Sequence, residues 1–440
     1  MLRKPPNWRK NLNIEVIQKG MESKEIQAIL RKAQDKYVYW DKFKYYPFPD
    51  GFTPEDGWTL LKFTQRASKD MTPVTDTNGE LFGFSTTKSL YKKLNYIDIH
   101  TAGFIRSLSQ KPNDSQSEKM LMSGLSEEAI ASSQIEGAST TRKVAKDMLF
   151  SGRKPKNESE QMIINNYQAM KRLDELKEFD LSLDLLKEIQ SIITNKILNA
   201  DERGRFRTDG ENIVVQDSMT GDVAHTPFSH DKIESELKRL IEYANRTEDE
   251  GDFIHPVIKA TVLHFWLAYI HPFVDGNGRT ARAIFYWYLM KNDYWLFQYL
   301  SVSRVIKKTR KKYDMAFLHT ENDDNDLTYF LIYIVDSTCQ AIAEMKDYYE
   351  EKLKEEKKYK DIAKQFRMLS ERQASIMSYF STHSDGEVDI QTHQKKHGIV
   401  YETARRDLLD LVEKGYLAQT SRGKKNVFLV NASKIKELKL

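Results

Sequence analysis

Apolar residues recur at three- and four-residue spacing along most of the chain, the period of an amphipathic helix. Helices are expected over residues 21–39, 54–67, 85–107, 118–135, 158–176, 183–197 and 231–244. The stretch 255–270 is apolar all round, which predicts a central core helix too short to cross a bilayer. A helical pattern resumes at 280–290. Between these runs the pattern breaks. Residues 37–49 are aromatic-rich and predict a small packed subdomain, and 70–84 are turn-rich and predict a loop tipped by 75–79. Residues 111–117 are polar and predict a linker. The apolar trio Ile213-Val214-Val215 and Val223, either side of Thr220-Gly221, predict a short β-hairpin. Residues 344–366 are dense in charges of both signs, the mark of a solvated connector helix.

The texture changes after that connector. A helix capped by Ser370, helices at 391–397 and 401–415 joined through Gly398, and two short strands in 419–429 resemble a winged helix domain. The fold class is therefore mainly α. Its parts are a helical N-terminal region (1–90), a central domain (91–342) carrying the short hairpin, a connector (343–366) and a winged helix domain (367–440). The sequence holds 68 basic and 64 acidic residues, too even a balance to argue for nucleic acid or membrane as a general partner. Its one cysteine, Cys339, excludes an internal disulfide and reads as a small core residue. No apolar run reaches membrane-spanning length and the first residues carry no secretory pattern, so the cytoplasm is the expected location.

Candidate chemistry concentrates in one string, His271-Pro272-Phe273-Val274-Asp275-Gly276-Asn277-Gly278-Arg279-Thr280-Ala281-Arg282. A glycine-bearing turn leading into a helix offers backbone N–H groups and a positive dipole end to an anion. Arg279 and Arg282 are three apart and share a helix face, and guanidinium forks match phosphate oxygens. Asp275 can hold a magnesium ion on phosphates, and His271 can act as a general base near neutral pH. The string lacks the Gly-Lys-Ser/Thr ending of a Walker loop and is not a dinucleotide fingerprint.

At every position the string resembles the signature of the Fic-domain family, His-x-Phe-x-Asp/Glu-Gly-Asn-Gly-Arg-x-x-Arg. The resemblance spans residues 90–340. It implies a helical Fic core with a β-hairpin flap, and transfer of AMP from ATP to a Ser, Thr or Tyr hydroxyl of a target protein, self-modification included. It further implies His271 as base, Asp275 on Mg2+, and Gly276, Asn277 and Gly278 around the phosphates with Asn277 on the α-phosphate. Arg279 would hold the β-phosphate and Arg282 the γ-phosphate, with Thr280 in the same helix start. Asp222, Val223, Ala224 and His225 fit the flap that registers the target by strand addition. Gly204-Arg205-Phe206-Arg207 resembles the stretch preceding that flap. For the adenine pocket, Lys312-Tyr313-Asp314 offers one tyrosine where the family begins with a Tyr-Tyr pair.

A second string, Ser132-Ser133-Gln134-Ile135-Glu136-Gly137, ends the helix 118–136. It resembles the family's inhibitory motif, Ser/Thr-x-x-x-Glu-Gly/Asn. By that resemblance Glu136 pairs with Arg282, takes the γ-phosphate's partner and forces the triphosphate into an unreactive pose. The implied enzyme is an autoinhibited nucleotidyltransferase, with a homodimer as a further expectation. The alternatives are other Fic chemistry, such as removal of AMP or use of another nucleotide, and a nucleotide-sensing DNA-binding regulator. Lys395, Lys396, Arg405, Arg406, Arg422, Lys424 and Lys425 are candidate phosphate contacts in the last domain. Residues 386–430 nonetheless hold eight basic against six acidic residues, with Asp407 and Asp410 on the presumed recognition helix. That balance favours protein contact over DNA there.

Overall fold

Five helices open the chain: α1 (Trp8–Asn11), α2 (Ile14–Glu22), α3 (Lys24–Lys36), α4 (Trp40–Phe43) and α5 (Pro54–Ala67). The single helix expected over 21–39 is interrupted at Ser23. Its side chain accepts from the Ile26 amide at 3.3 Å and caps α3. A capping box between Thr53 and Asp56, with Pro54 in the first turn, starts α5. Tyr37, Tyr39, Trp40, Phe43, Phe52 and Trp58 pack into one buried cluster, which is where the aromatic-rich stretch goes. Strands β1 (Asp70–Thr75) and β2 (Leu81–Phe84) then pair antiparallel, where a loop was expected. Pro73 and Gly83 mask the alternation that buries Thr72, Val74, Phe82 and Phe84. Asp76 Oδ1 accepts from the amides of Asn78 and Glu80 and shapes the turn.

This computed structural model describes residues 4–101, 114–216, 221–247, 253–365, 369–383, 386–422 and 425–431. The end of the helix expected at 85–107, the start of the linker at 111–117, Thr220 and Lys424 lie outside them. The chain divides into two compact units, Met1–Ala343 and Glu344–Leu440. The first continues with α6 (Lys88–Thr101), α7 (Asp114–Ile135), α8 (Arg142–Ser151), α9 (Glu158–Leu176) and α10 (Leu183–Ile193). The hairpin β3 (Val215–Gln216) and β4 (Val223–His225) follows, pairing Val215 with His225. Then come α11 (His230–Asn245), α12 (Pro256–Ile270), α13 (Asn277–Lys291), α14 (Val302–Lys308), α15 (Arg310–Asn322) and the first part of α16 (Thr328–Gln365), the rest of which belongs to the second unit. Helices α12 and α13 are buried almost all round and form the centre, as the strongly apolar character of 255–270 demands. Helix α7 packs on α9 and α14, and Gly124 lets it approach closely. A Cβ there would stand 2.5 Å from the Tyr299 carbonyl oxygen.

In the second unit, a capping box between Ser370 and Gln373 starts α17 (Glu371–Thr382). Strand β5 (Val388–Asp389), α18 (Ile390–His397), α19 (Tyr401–Glu413), β6 (Leu417–Arg422) and β7 (Lys425–Val430) follow. The strands order as β5-β7-β6, all antiparallel, with Val388 opposite Phe428 and Leu417 opposite Val430. Met377, Phe380, Leu408, Leu411 and Phe428 form the unit's core. Among the described residues no helix is long and apolar enough to cross a membrane.

Candidate active site

Helix α12 ends at His271, whose backbone is left-handed at φ 51°. A non-glycine residue in that region is uncommon, and it ends the helical path of the chain at this point. His271 Nδ1 lies 3.2 Å from the Ala268 carbonyl oxygen. A carbonyl only accepts, so Nδ1 carries the hydrogen and Nε2 keeps its lone pair. Burial lowers the imidazole pKa to about 4, so the ring is neutral near pH 7.

The loop behind it is braced from both sides. The Phe273 amide donates to Asn277 Oδ1 at 2.9 Å, and Asn277 Nδ2 returns a bond to the Phe273 carbonyl at 2.8 Å. Phe273 itself is buried against Phe206. Arg207 Nε donates to the His271 carbonyl at 2.9 Å, its amide donates to the Pro272 carbonyl at 2.9 Å, and its Nη2 reaches the Phe228 carbonyl. Gln190 joins the Asp275 carbonyl to the Gly204 amide. Gly276 caps α13 at φ 85°, leaving the first amides of α13 with no helical acceptor.

Two guanidinium groups stand at that helix start, both buried. Arg279 Nη2 meets Asp275 Oδ2 at 2.8 Å, while the Asp275 side chain stays 45% exposed. Thr280 is buried one residue further on. Arg282 is held by α7: Nε donates to Ser132 Oγ at 2.9 Å, Nη2 to the Ser132 carbonyl at 3.0 Å and to Glu136 Oε1 at 2.9 Å. Burial alone would raise the Glu136 carboxyl. The charges of Arg282, Arg279 and Arg310 outweigh it and hold Glu136 below the usual carboxylate range. Gly278 makes this contact possible, since a Cβ there would lie 2.2 Å from Glu136 Oε1.

The structure places the remaining expected site residues as follows. Asp222 and Val223 are exposed on the hairpin and Ala224 is half-buried. His225 turns inward, Nδ1 to Glu321 Oε2 at 3.1 Å and Nε2 to the Tyr269 carbonyl at 2.8 Å, which ties β4 to α15 and to the last turn of α12. Tyr313 is buried, its hydroxyl 2.9 Å from His264 Nε2 and its ring against Phe317. Gln190, Glu321 and Arg310 were not singled out from the sequence. They lie far along the chain from the motif, and no local pattern marks them.

The family model described as Fic/DOC family matches residues 180–289. That segment, which carries His271 and both arginines, is a Fic domain. Among relatives, the chain is 33% identical over 122 residues to protein adenylyltransferase fic-1 of Caenorhabditis elegans, 27% of this chain and 21% of that one. It is 29% identical over 129 residues to protein adenylyltransferase Fic of Nematostella vectensis, 27% of each. The chain thus spans about a quarter of the length of these relatives. Among solved structures, a Fic family protein from Desulfovibrio desulfuricans G20 is similar over 77% of this chain and 96% of that one, at 16% identity and TM-score 0.49. Fic-1 from C. elegans is similar over 58% of this chain and 70% of that one, at 23% identity and TM-score 0.45.

Proposed function

We propose that this protein is an adenylyltransferase that transfers AMP from ATP to a hydroxyl of a target protein, and that Glu136 holds it inactive. The observation that carries the reading is the set of groups at the start of α13. A neutral imidazole with Nε2 free stands beside unpaired helix amides and two buried guanidinium groups, one of them claimed by Glu136. The relatives named protein adenylyltransferases support it.

His271 Nε2 would take the proton of a Ser, Thr or Tyr hydroxyl. That oxygen would form a bond to the α-phosphorus of ATP, and the bond to the bridging oxygen would break as pyrophosphate leaves. The backbone amides of Asn277, Gly278 and Arg279 and the two guanidinium groups would hold the phosphates and offset their charge, which is most of what such a transfer needs. Asp275, half-exposed and facing the helix start, is the residue that would hold Mg2+. One carboxylate suits that ion, which otherwise keeps waters and phosphate oxygens, and its chemistry is to neutralise phosphate charge. β4 would line up the target segment. The same reading puts the chain in the cytoplasm, where ATP is abundant, and allows a homodimer.

The test is to incubate wild type, Glu136→Gly and His271→Ala with Mg2+ and ATP labelled in the α-phosphate. Wild type should label protein weakly, Glu136→Gly strongly and itself included, and His271→Ala not at all. If Glu136→Gly stays as dark as His271→Ala with ATP, GTP, CTP and UTP alike, the transferase reading fails.

A further inference from the structure

We propose that the second unit binds duplex DNA through α19 in the major groove, with α18 and the β6–β7 hairpin on the flanking phosphates. From α17 onward the order is helix, short strand, helix, helix, β-hairpin, with three antiparallel strands closing on one core. Helices α18 and α19 are joined by three residues only. Gly398 ends α18 at φ 62°, and Ile399 and Val400 lead into α19. A turn of this length is that of a helix-turn-helix, in which the second helix is the one that enters a groove.

The charge balance of the sequence argued against DNA because two aspartates lie on α19. The structure removes most of that objection. The Asp407 side chain is only 8% exposed and takes a bidentate bond from Arg372 of α17, at 2.7 and 3.0 Å, with His393 Nε2 of α18 at 3.1 Å. Asp410 is held by Gln373 and by Lys414 at 2.6 Å. Both carboxylates are thus spent on fixing α19 to its own unit, and the face left outward is different in character. It carries Tyr401, Glu402, Arg405 and Arg406 on the first two turns of α19. Gln391, Thr392, Lys395 and Lys396 on α18 and Gln419, Thr420 and Ser421 on β6 are exposed as well.

Four cations and a set of amide and hydroxyl groups, against the exposed Glu402 and Glu413 of α19, suit a phosphate backbone and base edges. Glu402 pairs with Arg405 in solvent, a contact weak enough for a phosphate to displace. Exposed apolar groups here are few, Val400, Tyr401 and Leu429 among them, which is poor material for a stable protein interface. Of the wing residues named from the sequence, Arg422 and Lys425 are described in backbone only and Lys424 lies outside the described residues.

The probe is a labelled pool of random-sequence duplex DNA, titrated by fluorescence anisotropy with the full-length protein at rising salt. Wild type should bind at about 50 mM salt, with log K falling linearly in log salt. Arg405→Glu/Arg406→Glu should weaken binding roughly tenfold or more and flatten the salt slope by about 2, the share of two phosphates. Lys395→Glu/Lys396→Glu should do the same if the first pair misfolds. Arg31→Glu/Lys32→Glu, exposed on α3, should change nothing, and His271→Ala should bind like wild type, so the result stands apart from the transferase reading. No binding by wild type at low salt overturns the proposal. So does binding that both charge reversals leave intact, or a change in oligomeric mass in those variants without any DNA retention.

Discussion

His271 owes its usefulness to two facts about one residue. The left-handed backbone ends the helical path of α12 there, and the bond to Ala268 leaves Nε2 as the basic nitrogen. Both were invisible in the sequence, where His271 was simply a histidine after an apolar helix. The twelve motif residues were readable because they carry their chemistry in one uninterrupted run. Arg207 was named from the sequence only as part of the stretch before the flap; its brace on the His271 carbonyl from 64 residues away was not readable, because only folding brings it there. Burial has a second effect at this scale. His271 is lowered from 6.5 to about 4 and His264 from 6.5 to about 3. As pH falls below about 6.5, the unfolded chain takes up these protons first. Stability is therefore full above that value and drains as pH falls toward 4 and 3. His319 is lowered to about 4 in the same way, so the midpoint of thermal unfolding should drop between pH 7 and pH 4, and less in His271→Ala, which lacks one of these groups. An equal drop in that variant would count against the assignment of His271 as a buried neutral ring.

Among the elements, α7 is the one that the proposed inhibition depends on. Its end grips Arg282 with Ser132 and Glu136, and two turns earlier Glu128 is buried in a different set of bonds. Glu128 accepts from the Tyr286 hydroxyl at 2.7 Å, Ser301 Oγ at 3.0 Å and the Ser303 amide at 3.1 Å, and also from Ser303 Oγ. These partners lie on α13 and at the start of α14, so Glu128 fixes how far along the core α7 sits. Glu128→Ala leaves several buried donors unmet, at about 1–3 kcal/mol each. It should lower the unfolding temperature and also raise self-labelling in a chain whose Glu136 is intact. A lower unfolding temperature with labelling still at the wild-type level would separate Glu128 from the lock. The Glu136 end of α7 was legible from its short motif, whereas Glu128 was one acid among many on a helix of mixed polarity. Similarly, β1 and β2 escaped notice because their pairing is settled by Phe82 against Phe265 and Tyr269, contacts that a local pattern does not contain.

The first unit is joined across its length by buried charge. Lys62 of α5 meets Asp323 at 2.7 Å and Asp326 at 3.0 Å, and Lys69 meets Asp326 at 3.0 Å. Burial would raise Asp326, and Lys69 and Lys62 overturn that and hold it far below the usual range. The opening helices and the segment between α15 and α16 are thereby one structure, although 261 residues separate Lys62 from Asp323. Lys62→Met should cost roughly 3–5 kcal/mol in denaturant unfolding, because it leaves the buried Asp323 without its cation. Adding Asp323→Leu should restore part of that loss, since removing both charges also removes the desolvation penalty. A double variant no more stable than the single would show that the charges do more than balance each other.

At Gly278 a single missing carbon serves two demands at once. The same opening that would let phosphates approach the amides of α13 is what admits the Glu136 carboxylate. A larger side chain there would push the brake aside, yet it would crowd the anion cradle too. If Glu136 is the inhibitor proposed above, altering the cradle is no easy way to release it. On that proposal, variants with raised labelling should cluster on α7 and its supports.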